Sequence, residues 1–397
     1  MRVTPSRLVR LIHKAPLRIV LATTGGGASA LSQLLAVPGA SRTILQGLVP
    51  YSAAALRQFL GATPEHYCSS ETSRAMAMAS FQRALALAQE AAGPDWRPAD
   101  AVALAGVACT ASLATDRKKQ GPHRAHLAVQ TAAATATQSI EFEKGRRSRR
   151  AEENLLGSIL LNLVAQAAGV AERLTLTLLP SEALTSLATD APPPWQQLLL
   201  GDLPAARHGP DVAAAGRRRA IFPGAFNPRH QGHRALAEVA QRRLAAPIEH
   251  EIAMLNVDKP PLDYTEMRRR LDQFSPDETV WFTRAPRFEQ KADIFPQSTF
   301  LVGVDTVIRI ADPRYYGDET LFRDRALRHL AERGSRFLVF GRVVDKSFVT
   351  LADLQLPEAL KALCEEIPQS EFRADISSTE LRQEGVGDAG PRDSETR

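Results

Sequence analysis

The sequence predicts an α/β protein of two domains, the second of which is a Rossmann-like, doubly wound parallel sheet. The chain has 397 residues, enough for two domains of ordinary size. Two of its segments show repeated alternation of strand-like and helix-like patterns. Between them, residues 179–217 are rich in Pro and Gly, which predicts a linker. The predicted domains are therefore 1–178 and 218–390.

The composition is typical of a globular protein, because 44% of the residues are hydrophobic and 23% are charged. This excludes a wholly disordered or collagen-like chain. Lys and Arg number 49 and Asp and Glu 44, a small excess that suits phosphorylated metabolites without requiring nucleic acid. No signal peptide or membrane-spanning stretch is evident, and Cys68, Cys109 and Cys364 lack metal-binding spacing. We expect a cytoplasmic protein with no membrane or nucleic-acid partner; a homo-oligomer is compatible with this sequence.

In the first segment, apolar strand patterns alternate with helix patterns. A turn at Thr24–Gly27 separates the first strand from the first helix. The predicted strands are 17–22, 43–50, 101–108 and 126–132, and the predicted helices are 28–35, 69–89 and 152–168. This alternation favours a sheet covered by helices.

The second segment begins with a short strand at 220–222. In the helix that follows, Leu236, Val239, Ala240 and Leu244 form one apolar face. Later strands are predicted at 252–255, 280–283, 300–302 and 337–340, with helices between most of them. In such a doubly wound layout, ligands bind at the carboxyl ends of the strands.

The most informative stretch joins this first strand to its helix: Gly224-Ala225-Phe226-Asn227-Pro228-Arg229-His230-Gln231-Gly232-His233. Backbone N–H groups and the helix dipole favour a phosphate at such a position. Gly224 permits a tight turn and close approach of a ligand. His230 and His233 are three residues apart, so both imidazoles can face one ligand. Two histidines at this spacing, without other signals, more often cap a helix. Here the preceding glycine, phenylalanine and proline favour a phosphate site.

A second stretch, Asp375–Arg382, lies near the C-terminus. Ser377, Ser378 and Thr379 offer hydroxyl and N–H groups to an anion at a predicted helix start. Arg382 follows one turn later and can bind the same phosphates. The alternative for this stretch alone is a capping box between Ser377 and Glu380.

These two stretches, in this order, resemble the nucleotidylyltransferase signatures Gly-x-Phe-x-Pro-x-His-x-Gly-His and Ile-Ser-Ser-Thr-x-x-Arg. The resemblance spans about residues 218–386 and is most similar to nicotinamide and nicotinate mononucleotide adenylyltransferases. Lys259 and Gly303-Val304-Asp305 match the family as well. The run Thr283–Pro286 and the run Tyr315–Gly317 are similar to a divergent, cytidylyltransferase-like branch.

The resemblance implies that an acceptor phosphate attacks the α-phosphorus of ATP in line and that pyrophosphate leaves. It assigns His230, His233 and Arg382 to catalysis, with His233 closest to the developing charge. Mg²⁺ would enter with ATP and bridge oxygens through water as much as through protein. The nucleotide-binding residues implied are Gly224, Ala225, Phe226, Asn227, Lys259, Gly303, Asp305, Ser377, Ser378 and Thr379.

The favoured function is adenylyl transfer to nicotinamide or nicotinate mononucleotide, as in NAD biosynthesis. Alternatives are cytidylyl transfer to a phosphorylated alcohol and adenylyl transfer to another phosphate such as phosphopantetheine. A non-catalytic nucleotide sensor is an alternative of another class. Trp281, Tyr315 or Tyr316 could stack on a pyridine ring or belong to the core.

Residues 10–170 resemble the C-terminal domain of the CinA family, in which this domain can be a nicotinamide mononucleotide deamidase. The resemblance rests on Val37–Ser41, Gly47–Ser52, Ser69–Met76 and the strand leading into Thr24–Gly26. The family's serine falls on Ala22 or Thr23, and its lysine falls on Leu56, which carries no charge. We therefore expect that this domain has lost deamidase activity and now binds, scaffolds or oligomerises.

Overall fold

The computed structural model describes residues 3–116, 120–212, 217–256, 259–344 and 347–372. Within them the chain forms two compact units. The first unit comprises the chain up to Leu203 together with Leu255–Arg268, which we call the inserted segment. The second unit comprises Pro204–Met254 and the chain from Arg269 onward.

The first unit contains a six-stranded mixed sheet of order β2-β1-β3-β4-β5-β6. Strand β1 pairs in parallel with β2 and β3, and the remaining neighbours are antiparallel. The strands are β1 (Arg18–Thr24), β2 (Ile44–Leu48), β3 (Leu104–Ser112), β4 (His123–Thr131), β5 (Ala134–Phe142) and β6 (Leu184–Asp190).

Helices cover both faces of this sheet, because successive strand residues alternate between two apolar clusters. Ile19 and Leu21 pack in one cluster with α1, α2 and α6, whereas Ala22 packs in the other with α4 and α5. The helices are α1 (Pro5–Ile12), α2 (Ala28–Ala36), α3 (Ala40–Thr43), α4 (Ala53–Leu60), α5 (Ser70–Ala92), α6 (Arg149–Ala167) and α7 (Pro193–Leu200).

The second unit contains a seven-stranded sheet of order β15-β12-β11-β8-β9-β10-β7. Only β7, at the edge, runs antiparallel to its neighbour. The strands are β7 (Ala205–His208), β8 (Ala220–Pro223), β9 (Ile248–Ala253), β10 (Thr279–Thr283), β11 (Thr299–Gly303), β12 (Arg336–Phe340), a separate hairpin of β13 (Arg342–Val344) and β14 (Ser347–Val349), and β15 (Cys364–Ile367).

From β8 the chain builds the sheet in one direction through β9 and β10, and then in the other through β11, β12 and β15. This reversal is the hallmark of a doubly wound, Rossmann-like sheet. The helices that begin after β8 are α8 (Gln231–Leu244), α9 (Tyr264–Leu271), α10 (Phe288–Ile294), α11 (Val304–Ala311), α12 (Thr320–Glu332) and α13 (Glu358–Lys361). The predicted α/β class, with a second Rossmann-like sheet, is confirmed.

Residues 179–217, predicted as a linker, contain β6, α7 and β7 in their described part. The linker was predicted because Pro and Gly residues interrupt helices and strands. In the structure, however, Pro192 is the N-cap of α7 and Gly201 ends this helix in a left-handed conformation. Strand β6 is mostly exposed and polar, so it lacks the apolar run of a buried strand. The first boundary between the two units lies after Leu203.

Strand β9 begins four residues earlier than the predicted 252–255. Its first four residues include Glu249, His250 and Glu251, which are all buried. Buried charged residues are uncommon without partners, and here Arg219 and Lys291 bind the two carboxylates. Apolar periodicity could not reveal a strand whose buried side chains are ionic.

Candidate functional site

The stretch from Gly224 to His230, which we call the Gly224 loop, connects β8 to α8. Strand β8 lies between β9 and β11, so this loop begins where the winding of the sheet reverses. Parallel pairing of β8 with β11 places the carboxyl ends of the two strands at the same edge. Ligands of open α/β sheets bind in the crevice at such an edge.

The two predicted histidines lie together at the start of α8. His230 is the N-cap, His233 is the third helical residue, and their ring centroids are 3.8 Å apart. The Nδ1 atom of His233 accepts a hydrogen bond from the backbone N–H of His230 at 3.2 Å. A neutral His233 therefore carries its proton on Nε2, where it can be donated to an oxygen of a ligand.

Both histidines are held in the neutral form. Burial, together with the nearby charges of His230, Arg229 and His250, lowers the pKa of His233 to about 3. Burial also lowers the pKa of His230. At neutral pH the site therefore offers neutral imidazoles next to the positive end of a helix dipole.

The backbone of the Gly224 loop is held by side chains from the end of α9 and the turn after it. The amide of Gln273 accepts from Arg229 N at 2.7 Å and donates to Phe226 O at 2.9 Å. Arg270 donates to Ala225 O at 2.9 Å, and Arg269 donates to the Asn227 side chain. These bonds fix the loop before any ligand arrives, which lowers the cost of ordering it.

Arg229, the second-to-last residue of the loop, is nearly buried and forms an ion pair with Glu278. Its guanidinium also lies 4.4 Å from the ring centre of Phe274. Burial alone would raise the pKa of Glu278, but its hydrogen bonds with Arg229 and Ser275 lower it to about 2. This ion pair and Gln273 have no signal in the sequence, because such partners are as far as 49 residues apart and no motif links them.

Phe226 supports the loop through packing. Its ring is 1% exposed and contacts Phe222, His233 and His250 in an aromatic cluster. A Cβ atom at Gly224 would lie 2.7 Å from this ring, so glycine is required there. Any contact of these two residues with a nucleotide would therefore involve the backbone.

Gly303 and Asp305 lie at the carboxyl end of β11, beside the end of β8. Gly303 is the N-cap of α11 and Asp305 lies in its first turn. Asp305 forms an ion pair with Arg342 of the β13–β14 hairpin, a residue that no sequence motif indicated. The hairpin thus adds a cation beside the carboxylate that is predicted to bind the nucleotide.

The remaining predicted residues are Lys259, the aromatic residues and four residues of the C-terminal stretch. Lys259 is exposed and belongs to the inserted segment of the first unit. Trp281 donates to Glu249, and Tyr316 is buried and donates to Ile310 O, so these two aromatic side chains are structural. Ser377, Ser378, Thr379 and Arg382 lie outside the described residues.

No group of three or more His, Cys, Asp or Glu side chains in the described part of the chain is placed to hold a metal ion. The donors around the Gly224 loop are imidazole and guanidinium groups, which suit an anion. Among the described residues, no helix is long and apolar enough to cross a membrane.

The first unit also has a glycine turn between a strand and a helix, the Gly25 turn (Gly25–Gly27), which joins β1 to α2. Here the helix start is already occupied by a carboxylate. Glu153 of α6 accepts from Gly27 N and from Ser29 N, each at 2.9 Å. The N–H groups that could otherwise bind a phosphate therefore have a partner within the protein.

The positions where the CinA resemblance places a nucleophile and a lysine are both buried. Thr23 is 1% exposed, and among the described residues its hydroxyl has no hydrogen-bond partner. Leu56 is 2% exposed and packs in an apolar cluster with Ala22, Met76 and Ala108. No cation is therefore available from Leu56 to activate a hydroxyl.

Comparison with known proteins matches residues 3–160 to the model of the CinA C-terminal domain. A solved structure of a CinA superfamily protein from Escherichia coli is 17% identical and has a TM-score of 0.30, with 42% of this chain and 88% of that chain covered. CihA, a competence/damage inducible protein from Agrobacterium tumefaciens, is 20% identical with a TM-score of 0.29, covering 43% of this chain and 94% of that chain. No curated protein matches the chain.

The family match extends over less than half of the chain and falls within the first unit. It agrees with the motifs at Val37–Ser41 and Gly47–Ser52. The N-terminal part of this chain is thus similar to the CinA C-terminal domain, a family associated with nicotinamide mononucleotide deamidases.

Proposed function

We propose that the second unit is a nucleotidylyltransferase that transfers an adenylyl group from ATP to nicotinamide or nicotinate mononucleotide and releases pyrophosphate. The observation that carries this proposal is the pair of neutral, adjacent imidazoles of His230 and His233 at the start of α8. They lie at the reversal point of a doubly wound sheet, where such sheets bind nucleotides.

The chemistry requires no protein nucleophile. The acceptor phosphate attacks the α-phosphorus, the bond to the bridging oxygen breaks, and pyrophosphate leaves with that electron pair. His233 donates from Nε2 to a phosphoryl oxygen as charge develops, and His230 binds the same triphosphate. Because the Gly224 loop is fixed by Gln273 and Arg270, these donors need little reorganisation.

Mg²⁺ would accompany ATP and neutralise part of the triphosphate charge. The carboxylate of Glu278 beside the loop is paired with Arg229, so the triphosphate itself and water would supply most of the ligands of the ion. Ser377, Ser378, Thr379 and Arg382 remain proposed ligands of the β- and γ-phosphates, and Lys259, Gly303 and Asp305 remain proposed nucleotide contacts.

The CinA-like part supports the choice of acceptor by analogy, since relatives of this domain act on the same mononucleotide. The buried Leu56 and the occupied Gly25 turn support the proposal that this domain has itself lost deamidase activity.

The experiment is a panel of pyrophosphate-release assays with purified protein and Mg²⁺. ATP and CTP are each combined with nicotinamide mononucleotide, nicotinate mononucleotide, phosphopantetheine and a phosphorylated alcohol. We expect release with ATP and a pyridine mononucleotide. Release only with CTP, or only with another acceptor, would replace the proposed substrates, and binding of ATP without any release would favour a nucleotide sensor.

A further inference from the structure

A cleft of about 710 Å³ lies beside α8 in the second unit. It is bounded by α8, by the starts of β9 and β10, and by the stretch that joins α9 to β10. We call it the His250 cleft, after a buried polar residue in its lining; all of its lining residues belong to the second unit. Its volume is typical of small-molecule sites, which measure about 300–1,000 Å³. Among the described residues, the lining contains none of those predicted to bind a nucleotide.

His250 contributes hydrogen-bonding atoms to this cleft that the protein does not use. Its side chain is 3% exposed, and the rings of Phe222, Phe226 and Phe274 lie against it. Within the described part of the chain, neither Nδ1 nor Nε2 has a hydrogen-bond partner. The backbone of Thr279 is near enough to oppose part of the fall in the pKa of the ring, but it makes no hydrogen bond of normal geometry with it. Buried polar atoms normally have a partner, so these two nitrogens indicate a place for a ligand.

The His250 ring is uncharged at neutral pH, because burial lowers its pKa to about 4. A neutral imidazole has a proton on one nitrogen and a lone pair on the other. The second nitrogen can therefore accept a hydrogen bond from an N–H group of a ligand. Such a bond is stronger in a buried site than in water, because the local dielectric constant is low.

The charged residues that line the cleft are mostly acidic; they are Arg229, Arg234, Glu238, Asp272, Asp277 and Glu278. Arg229 and Glu278 form an ion pair, so their charges compensate each other. Of the remaining four, three are carboxylates and one is a guanidinium. These three carboxylates are exposed, and no ion pair or side-chain hydrogen bond engages them among the described residues. The outer part of the cleft therefore has an excess of negative charge.

This combination of groups selects the class of ligand. An acceptor nitrogen inside the cleft and carboxylates around it suit a compound that donates N–H groups and carries positive charge. An anion would be repelled by the carboxylates. A metal ion is a poor candidate, because no three His, Cys, Asp or Glu side chains in the described ranges are placed to bind one.

We propose that the His250 cleft binds a small organic ammonium compound, which donates an N–H to His250 and whose charge is balanced by Glu238, Asp272 and Asp277. The site is separate from the proposed phosphate site of the Gly224 loop. It does not depend on which reaction the second unit performs.

The first test is isothermal titration calorimetry of the full-length protein with three probes of equal length: 1,4-diaminobutane, 1,4-butanediol and succinate. They carry positive, zero and negative charge. We expect the diamine to bind with a Kd of about 1 mM or lower, and the diol to bind at least about tenfold more weakly. Succinate should not bind at the cleft. No binding of the diamine, equal binding of the diol, or a preference for succinate would overturn the proposal.

The second test places the diamine in the cleft. Glu238→Gln removes one charge at constant size and should weaken binding about threefold, because this carboxylate is exposed. Glu332→Gln is the matched control, since Glu332 is an exposed glutamate at the end of α12 and does not line the cleft. Equal affinities of these two variants would mean that the diamine binds elsewhere, which contradicts the proposal.

A third measurement follows His250 itself. In protein labelled with ¹⁵N-histidine, the diamine should shift the ring-nitrogen resonance of His250, which is identified by its loss in His250→Leu. That variant should bind the diamine about tenfold more weakly. A His250 resonance that stays unchanged at saturating diamine would refute the contact. If His250→Leu does not fold, the comparison of Glu238→Gln with Glu332→Gln still decides whether the cleft is the site.

Discussion

The Gly25 turn and the Gly224 loop are built alike, since each joins the end of a parallel strand to the start of a helix. They differ in what meets the helix start. In the first unit the carboxylate of Glu153 binds the free N–H groups, whereas in the second unit two neutral imidazoles occupy this position. The same strand–turn–helix motif can therefore have its N–H groups bonded within the protein or offer a site for an anion. The neighbouring side chains determine which of the two occurs.

The largest expected effect comes from removing a donor from the Gly224 loop. In His233→Ala, the rate of pyrophosphate release should fall by about 10²–10³-fold, because one preorganised donor to the transition state is lost. His329→Ala is the matched control, since this histidine pairs with Asp293 on α10 and has no proposed role. Near-normal turnover of His233→Ala, with a native circular dichroism spectrum, would contradict the assignment.

The second effect is a loss of stability in acid that is specific to the second unit. Burial and the charge of Arg229 lower the pKa of His250 to about 4, whereas an unfolded histidine has a value of 6.5. Below pH 6.5 the unfolded chain therefore binds a proton that the folded protein does not. The free energy of unfolding then decreases as the pH is lowered.

We expect His250 to contribute a loss of roughly 2 kcal/mol between pH 6.5 and 5, as measured by urea unfolding. The lowered pKa of Glu278 adds no loss in this window, because its stabilisation is lost only as the pH falls below about 4.5. His250→Leu should make the profile less steep, since leucine suits the surrounding Phe222, Phe226 and Phe274. The loss that remains comes from the lowered pKa values of His233 and His230. An equally steep profile in this variant would refute the cause given.

A smaller effect is expected at the Gly25 turn. Glu153→Ala removes the acceptor for two N–H groups at the start of α2, which should lower the free energy of unfolding by about 1 kcal/mol. Inorganic phosphate should recover part of the loss by binding the vacated groups. Glu90→Ala, an exposed glutamate of α5, serves as the control. A phosphate response as large in wild type as in Glu153→Ala would show that the turn is not closed.

The last prediction is that the first unit shows no deamidase activity. The wild-type protein should form no nicotinate mononucleotide from nicotinamide mononucleotide, because Leu56 is buried among apolar side chains and Thr23 is enclosed in β1. Chromatography of the products is the measurement. Robust deamidation would mean that the first unit has an active site that does not use these two positions.

The α/β class and strands such as β1, β11 and β12 could be predicted from the sequence, because each is an apolar run bounded by glycine or proline. The adjacency of His230 and His233 was predictable for the same local reason, as residues three apart at a helix start share a face. The sequence could equally indicate that Leu56 stands where relatives of the CinA domain have a lysine.

Only the tertiary structure showed what binds each glycine turn. The partners Glu153, Gln273 and Arg270 come from distant parts of the chain, and no periodicity connects them with Gly27, Phe226 or Ala225. The same holds for β9. From the sequence alone its two glutamates would be predicted to be exposed, but in the structure they are buried and paired with Arg219 and Lys291. Charged groups are rarely buried without a partner, so their place in a fold depends on contacts between residues far apart in the chain.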